Sequence, residues 1–321
     1  MFDEYRACRI CPRSCGVDRY VQKGYCGCNA SVRAARAGLH FFEEPFLSGT
    51  RGSGTVFFSG CSLGCVYCQN GQISRDLYGF DISEERLAEI FLQQQDIRHA
   101  HNINLVTGTH FIPSIAEALR MAKDRGLRIP VVWNSSGYER PEYLRYLDGL
   151  VDIFLPDLKT LDLDLGARYM HAPDYPERAK EALACMAEMA GAVTFDEFSD
   201  MTDPPYNTSG QEPVKENDKD WNRNWDQDQE SDPSGALFYE GEHVLMTRGL
   251  VVRHLVIPGQ IEDSKRVLRY LCETYGDQIW ISLMSQYTPV GRFAKRQYYE
   301  TTQVTARAAH DETTSDRTFS D

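Results

Sequence analysis

The sequence predicts an α/β protein built on a partial (β/α)6 TIM-like barrel. From residue 54 onward, apolar runs of strand length alternate with stretches of helical periodicity, which is the pattern of βα units around a parallel sheet. The alternation supplies six strands and five or six helices, fewer than a complete eight-stranded barrel needs. A Cys-rich N-terminal extension precedes the pattern, and an acidic segment interrupts it.

The strands and helices follow from apolar periodicity and from residues that begin or end helices. Strands are expected at 54–59, 102–107, 130–134, 152–158, 249–258 and 279–285. Helices are expected at 83–98, 113–125, 141–147, 179–190 and 263–275. Ser83 is a good N-cap for the first of these helices, and Gly126 is at the usual stop position of the second.

Composition divides the chain into three regions: a metal-binding segment at 1–48, the barrel at 49–299 and a polar tail at 300–321. Within the barrel, residues 196–236 carry 12 Asp and Glu against three Lys and Arg, and they contain almost no aliphatic side chains. Such a segment cannot bury enough apolar surface to offset its ordering entropy. We therefore expect a disordered acidic insertion there and a disordered tail.

Charge and composition limit the partners that this chain is expected to have. The 321 residues carry a net charge of −13, which disfavours nucleic acid and anionic membrane surfaces as partners. No apolar run approaches membrane-helix length, and the N-terminus lacks the features of a secretory signal. We therefore expect a cytoplasmic protein. In that compartment, ten cysteines indicate metal or redox chemistry rather than disulfides.

A loop directly after the first predicted strand contains Cys61, Cys65 and Cys68 in C-x3-C-x2-C spacing. Three thiolates can hold three irons of a [4Fe-4S] cluster and leave the fourth iron open to a small ligand. Gly60 and Gly64 allow the backbone to turn closely around a bulky group. The alternatives are cysteines that only pack in the core and a zinc site, which would lack its fourth ligand.

The N-terminal extension contains five cysteines within 21 residues. We expect a second metal site there, formed by Cys8, Cys11, Cys15 and Cys26, with Cys28 as the alternate ligand. Four thiolates suit both a zinc ion and an auxiliary iron–sulfur cluster, so the sequence leaves the metal open. A reduced, thiol-rich arm without metal is the remaining alternative.

Polar residues at the C-terminal ends of the predicted strands are the other candidate site residues, because active sites of such barrels lie at that face. Thr107 and Asn134 follow the second and third strands, and Asp157 and Lys159 follow the fourth. A strand-end cap and a solvated lysine are the structural alternatives for the last two. On the fifth strand, side chains of successive residues point to opposite faces, so only one of Arg253 and His254 can point inward.

Seven segments together resemble radical S-adenosylmethionine (SAM) proteins, specifically the homologues of pyruvate formate-lyase-activating enzyme. They are residues 11–17, 49–55, 58–70, 102–107, 155–159, 253–259 and 285–289. The resemblance extends from residue 8 to about residue 290, apart from the acidic insertion. It implies the same partial barrel that the alternation of strands and helices predicts.

The resemblance also implies roles for individual residues. Three cysteines would hold the cluster, SAM would chelate the open iron, and Tyr67 would lie near the adenine. In the Asp157-Leu158-Lys159 segment, the lysine would meet the SAM carboxylate, and Arg253 would lie near the ribose. Thr107 stands where the family carries a Gly-Gly-Glu-Pro-like motif that contacts the SAM amino group, but those four residues are absent here.

The function that the resemblance implies is reductive cleavage of SAM to a 5′-deoxyadenosyl radical, which abstracts hydrogen from a substrate. This reaction needs a low-potential electron donor, and the sequence identifies neither that donor nor the substrate. By resemblance, the hydrogen donor is a backbone glycine of a partner enzyme. Two alternatives remain open: a non-catalytic iron–sulfur or zinc protein, and a radical SAM enzyme that acts on a small molecule.

Overall fold

A computed structural model describes residues 1–198, 243–285 and 287 of the chain. The chain divides into two compact units, Met1–Asp196 with Leu245–Asp321, and Glu197–Val244. The description below concerns the first unit, which contains every predicted site residue. Among the described helices, none has the length and apolar character needed to cross a membrane.

Nine described strands form one mixed sheet. They are β1 (Val32–His40), β2 (Ser53–Phe58), β3 (Phe80–Ile82), β4 (Ile103–Val106), β5 (Val131–Ser135), β6 (Ile153–Pro156), β7 (Thr194–Phe198), β8 (His243–Leu255) and β9 (Trp280–Met284). The strand order is β3-β1-β2-β4-β5-β6-β8-β7, and β9 pairs with β8. Because β2, β4, β5, β6, β8 and β9 pair in parallel in that order, the predicted six-stranded partial barrel is confirmed.

The helices lie between these strands. They are α1 (Pro45–Ser48), α2 (Gly71–Ser74), α3 (Glu84–Asp96), α4 (Ile112–Asp124), α5 (Pro141–Leu144), α6 (Leu163–Met170), α7 (Tyr175–Ala190) and α8 (Ile261–Tyr275). Ser83 caps α3 as predicted, since its hydroxyl accepts the backbone N–H of Arg86 at 3.2 Å. The pattern does not anticipate α6, which has only eight residues and an internal glycine; Asp162 caps it by accepting two backbone N–H groups.

Two strands, β1 and β3, extend the sheet beyond the barrel and are not anticipated by the alternation. The strand β1 pairs antiparallel with β2, with Ala37 opposite Val56, and β3 pairs antiparallel with β1. Six of the nine β1 residues are Ala, Arg or Gly, and Val32 is its only β-branched or Phe, Tyr or Trp residue, so few of its side chains mark a strand. Its place is set by pairing with β2, which is a long-range interaction.

The barrel interior changes from apolar to polar along the strands. Leu47 of α1 packs against a buried cluster that includes Val132, Ile153 and Val251. On β5, Asn134 lies two residues after Val132 and pairs with Leu155 of β6. On β8, Arg253 lies two residues after Val251. The strands therefore carry an apolar layer below and polar side chains near their C-terminal ends, where the site is expected.

The N-terminal extension packs against the barrel rather than forming a loose arm. Tyr5, Ile10 and Arg19 are fully buried. The Tyr5 hydroxyl shares a hydrogen bond of 3.0 Å with the hydroxyl of Ser114 on α4. The segment therefore has apolar and polar contacts of its own, in addition to any metal that its cysteines hold.

The regions expected to be disordered fall mostly outside the described residues. Of the acidic segment at 196–236, only residues 196–198 are described, and they belong to β7. The tail at 300–321 lies entirely outside the described residues. Both expectations therefore stay predictions.

Replacing Gly137 by alanine should destabilise the protein more than the same change at Gly149. Both glycines have positive φ angles, 71° and 69°, which cost a side-chain-bearing residue about 1–2 kcal/mol. At Gly137 an added Cβ would also overlap the carbonyl oxygen of Asp157, whereas at Gly149 it would meet no atom within 4 Å. We expect Gly137→Ala to lower the free energy of unfolding by at least about 2 kcal/mol more than Gly149→Ala. Equal thermal unfolding midpoints for the two variants would contradict this packing.

Candidate metal and cofactor site

The loop with the three predicted cluster cysteines leaves the C-terminal end of β2 and leads into α2. The sulfur of Cys61 accepts the backbone N–H of Leu63 at 3.3 Å, and Cys68 shares a hydrogen bond of 3.4 Å with the hydroxyl of Ser74. Burial raises the pKa of the Cys65 thiol to about 12, although the Lys159 ammonium acts in the opposite direction. The loop thus presents three thiols next to the partly buried cation of Lys159.

Contacts from distant segments fix this loop. The Arg13 guanidinium donates to the carbonyl oxygens of Ser62 at 2.8 Å, Leu63 at 3.0 Å and Met170 at 2.9 Å. Gly64 has a φ of +75°, and a Cβ built on it would meet no atom within 4 Å. The loop backbone is therefore held from the N-terminal side, and the space beside Gly64 is open.

Asp157 and Lys159, at the end of β6, form an ion pair with 2.6 Å between Oδ2 and Nζ. The Arg253 guanidinium approaches the other carboxylate oxygen of Asp157 at 3.3 Å. Burial raises the pKa of Asp157, but the two cations outweigh it and hold the pKa below its usual range. The Tyr175 hydroxyl accepts the Lys159 backbone N–H at 2.9 Å, which fixes the chain between the paired residues. Asp157 is thus a charged carboxylate inside the barrel mouth.

Arg253 joins this ion pair to two further residues from other elements. Its guanidinium donates to Glu43 at 3.1 Å and to the side-chain oxygen of Asn134 on β5. Glu44 lies 4.0 Å from the same guanidinium. Burial raises the pKa of Glu43, although Arg253 opposes the shift. Three carboxylates and two cations therefore form one partly buried network at the strand ends.

Tyr67 and Thr107 border this network. The Tyr67 ring is buried and packs edge-on against Tyr169, with 6.3 Å between ring centroids. The Thr107 N–H donates to the carbonyl of Asn134 at 2.9 Å. Thr107 has a φ of +62°, which is rare for a β-branched residue and marks local strain at the end of β4.

Most predicted cofactor residues therefore come together. Asn134, Asp157, Lys159 and Arg253 are connected by direct contacts, and the pKa of Tyr67, raised by burial, also responds to the Lys159 charge. His254 lies on the opposite face of β8, where it contacts the Leu158 carbonyl and Ser264 of α8. This agrees with the expected alternation of Arg253 and His254.

The expectation that site residues lie at the C-terminal ends of the strands misses three acidic residues that the structure places near the site. Glu43 and Glu44 precede α1, so only the tertiary fold brings them to Arg253. Glu139 follows the β5 terminus and is fully buried; it accepts the Thr109 hydroxyl at 2.6 Å. Glu139 could have been found from the sequence, because it lies within five residues of a predicted strand end. The sequence carries no such signal for Glu43 and Glu44.

The N-terminal cysteines differ in their placement. Cys8, Cys11 and Cys26 are buried, whereas Cys15 is exposed. The ligand atoms of Cys26, Cys28 and His110 lie within 4.8 Å of one another, and no other trio of Cys, His or acidic residues in the described ranges does so. The structure thus groups one favoured cysteine with the alternate ligand and with a histidine from the β4 loop.

Comparison with known families adds a class to this geometry. The family model for the Radical SAM superfamily matches residues 55–196 of the chain. The match begins in β2, and it includes the three-cysteine loop, the β4 and β5 ends, and the Asp157–Lys159 pair.

One curated relative and several solved structures are similar to the chain. The protein named "Uncharacterized protein MJ0674" from Methanocaldococcus jannaschii is 31% identical over 178 residues, which is 53% of this chain and 51% of the relative. The chain therefore spans about half the length of the curated relative it matches.

The solved structures are more distant. SuiB from Streptococcus suis bound to S-adenosylmethionine has a TM-score of 0.39 at 11% identity, over 77% of this chain and 43% of SuiB. The histidine-tagged protein anSMEcpe with bound AdoMet has a TM-score of 0.40 at 11% identity, over 73% of this chain and 52% of that chain. Both superpositions are weak, and neither bears on what this chain binds.

The buried Glu139 should make stability depend on pH. Burial raises the pKa of Glu139 from 4.5 to about 7, so its carboxyl is protonated in both the folded and the unfolded protein below about pH 4.5. Between about pH 4.5 and about pH 7 the unfolded chain ionises Glu139 while the folded protein keeps the proton, so the free energy of unfolding falls by up to about 3 kcal/mol and then stays level. Glu139→Gln keeps the acceptor for Thr109 and does not titrate.

We therefore expect Glu139→Gln to gain thermal stability over the native protein between about pH 5 and about pH 8, by roughly 5 °C or more. The matched control is Glu142→Gln, whose side chain is half exposed and should leave the native pH dependence unchanged. A constant difference in unfolding midpoint across this range would show that Glu139 is ionised in the folded protein at both pH values.

Proposed function

We propose that this chain is a radical SAM enzyme that cleaves S-adenosylmethionine reductively at a [4Fe-4S] cluster bound by Cys61, Cys65 and Cys68. The observation that carries the proposal is the position of the three-cysteine loop. It leaves the C-terminal end of the first parallel barrel strand, inside the matched domain, with Cys65 next to the cation of Lys159.

The residues present fit both a [4Fe-4S] cluster and SAM. Three thiols from one loop leave one iron of a cubane without a protein ligand. The backbone N–H of Leu63 already donates to the Cys61 sulfur, as it would to a cluster thiolate, and the open space beside Gly64 leaves room on the loop. In the described part of the chain, the sulfurs of Cys61, Cys65 and Cys68 do not all lie within 4.8 Å of one another, which is the spacing that a single ion requires.

When bound, the cluster and SAM supply one-electron cleavage of the SAM carbon–sulfur bond and a carbon radical that abstracts hydrogen. The chain's own residues bind and orient the cofactor. We assign Lys159 to the SAM carboxylate, because its ammonium is partly buried and its charge acts on Cys65 of the cysteine loop. Asp157 positions that ammonium through the 2.6 Å ion pair, and it also positions Arg253 for the ribose.

Tyr67 and the strained β4 end complete the assignment. Tyr67 directly precedes Cys68 in the sequence, and its side chain is buried. We assign its aromatic ring to the adenine. Thr107 and Asn134 are joined through their backbones, and they replace the Gly-Gly-Glu-Pro-like contact to the SAM amino group. The reaction also needs a low-potential electron donor.

The substrate is a further hypothesis. The resemblance to homologues of pyruvate formate-lyase-activating enzyme suggests a glycine of a partner enzyme as hydrogen donor, but the comparisons add no support for that subtype. Its discriminating test is a glycyl-radical signal in electron paramagnetic resonance after incubation with a candidate partner. A genome without any glycyl-radical enzyme would favour a small-molecule or other protein substrate.

The reconstituted protein should form 5′-deoxyadenosine from SAM. We would reconstitute the full chain anaerobically with iron and sulfide, add dithionite and SAM, and measure 5′-deoxyadenosine. The Cys65→Ala variant should give no product above background, because it removes one of three cluster ligands. The matched control is Cys272→Ala, since Cys272 is an exposed cysteine on α8 and should leave product formation unchanged.

A normal cluster without 5′-deoxyadenosine in the native protein would contradict the proposed reaction and favour a non-catalytic iron–sulfur protein. Loss of product in both cysteine variants would show that the assay does not report on the predicted loop.

Replacing Lys159 by methionine should weaken SAM binding. The variant keeps the length of the side chain but removes the ammonium assigned to the SAM carboxylate, while Asp157 still pairs with Arg253. We expect the Kd for SAM of the cluster-loaded protein to rise about tenfold or more, which corresponds to about 1.4 kcal/mol. Lys265→Met is the matched control, because Lys265 is exposed on α8 and pairs only locally with Glu262. An unchanged Kd in Lys159→Met would remove Lys159 from the binding site.

A further inference from the structure

The trio of Cys26, Cys28 and His110 lies between the N-terminal extension and the barrel. Two residues come from the extension, and His110 comes from the turn after β4. All three are buried, with exposed fractions of 8%, 3% and 1%. Their ligand atoms lie within 4.8 Å of one another, which is the scale of a single ion rather than of a cubane cluster.

The hydrogen bonds of His110 leave one of its ring nitrogens available. Its Nε2 lies 2.8 Å from the carbonyl oxygen of Ser59. Because a carbonyl can only accept, Nε2 carries the proton, and the neutral ring then has a lone pair on Nδ1. That Nδ1 is buried and has no hydrogen-bond partner among the described residues. A histidine that donates one ring N–H to a carbonyl and presents the other nitrogen has the usual arrangement of a metal ligand.

We propose that Cys26, Cys28 and His110 bind one zinc ion, with Cys11 as the fourth ligand. Sulfur and imidazole donors in a closed, buried, four-ligand set favour Zn²⁺ among the common metals. Cys11 is buried in the same extension, where Cys26, Cys8 and Cys15 are its thiol neighbours. Cys15, which the sequence favours, is exposed; its sulfur and the Cys26 sulfur each lie 3.5 Å from a Cβ built on Gly24, so the variants below decide between Cys15 and Cys11.

Charge balance supports a thiolate centre at this place. Zinc binding would release the thiol protons of the three cysteines, and three thiolates around Zn²⁺ carry a net charge of −1. Arg19 is fully buried beside the trio and donates to the carbonyl oxygen of His110. Among the described residues, no carboxylate pairs with Arg19, whereas Cys8 and Cys26 are its thiol neighbours. A buried guanidinium needs such an anionic partner.

The proposed ion would tie the N-terminal extension to the three-cysteine loop. The Cys28 S–H donates to the Ser59 carbonyl at 3.2 Å. When Cys28 loses that proton to bind zinc, the Ser59 carbonyl keeps the hydrogen bond from His110. A Cβ on Gly60 would lie 2.6 Å from both the Cys28 sulfur and the Cys26 carbonyl oxygen. The site is therefore in contact with the residue that immediately precedes Cys61.

The test uses the full chain with Cys61, Cys65 and Cys68 all replaced by alanine, so that zinc cannot enter the cluster loop. After incubation with zinc and removal of the excess, we expect about one zinc per chain by elemental analysis. Zinc K-edge X-ray absorption should show one nitrogen at about 2.0–2.1 Å and three sulfurs at about 2.3 Å. Four sulfurs and no nitrogen, or the absence of bound zinc, would overturn the proposal. This measurement needs no change to the proposed ligands.

Variants in the same triple-alanine chain then assign the ligands. His110→Gln offers an amide N–H to the Ser59 carbonyl but no imidazole, and we expect it to weaken zinc binding at least about tenfold. Cys28→Ala should do the same, whereas Cys15→Ala should leave the zinc Kd unchanged, with folding of each variant checked by circular dichroism. Loss of zinc in Cys15→Ala with retention in both other variants would assign the metal to Cys8, Cys11, Cys15 and Cys26 instead.

Discussion

The site depends on the placement of one carboxylate, Asp157, between the cations of Lys159 and Arg253. Each cation alone would be costly to bury inside the barrel mouth, and so would the carboxylate. Together they satisfy one another, and removal of Asp157 would leave the Lys159 ammonium without its carboxylate partner; breaking a buried ion pair in this way costs several kcal/mol in other proteins. Because Asp157 ends β6 and Arg253 lies on the neighbouring β8, the same pairing also aligns two strands at the site.

This arrangement requires the layered interior below it. Leu47, Val132 and Val251 close the lower part of the barrel with apolar contacts, so that polar side chains are excluded there and gather at the strand ends. The α1 segment contributes to both layers, because Leu47 packs in the apolar cluster and Glu43 reaches Arg253 from the same short stretch. The segment before β2 thus supports the core and neutralises part of the charge in the site.

The sequence predicted what local patterns determine. All six parallel strands, the Ser83 cap and the division of Arg253 and His254 between two faces follow from periodicity and from residue types near element ends. The sequence did not predict β1, which has few residues typical of strands and is positioned by its pairing with β2. Glu43 was missed for a related reason: its contact with Arg253 spans 210 positions, and no local pattern encodes a partner at that separation.

The N-terminal cysteines show the same limit of local sequence patterns, here for the choice of metal ligands. Spacing selects cysteines as a group, but it cannot tell which of them face inward, and the fold separates buried Cys28 from exposed Cys15. His110 lies far beyond Cys28 in the chain, and they meet only because the β4 turn and the extension both pack against Ser59. Arg13 holds the following residues of the same loop. The extension therefore fixes the backbone on both sides of Cys61, and the cluster loop depends on it for its shape.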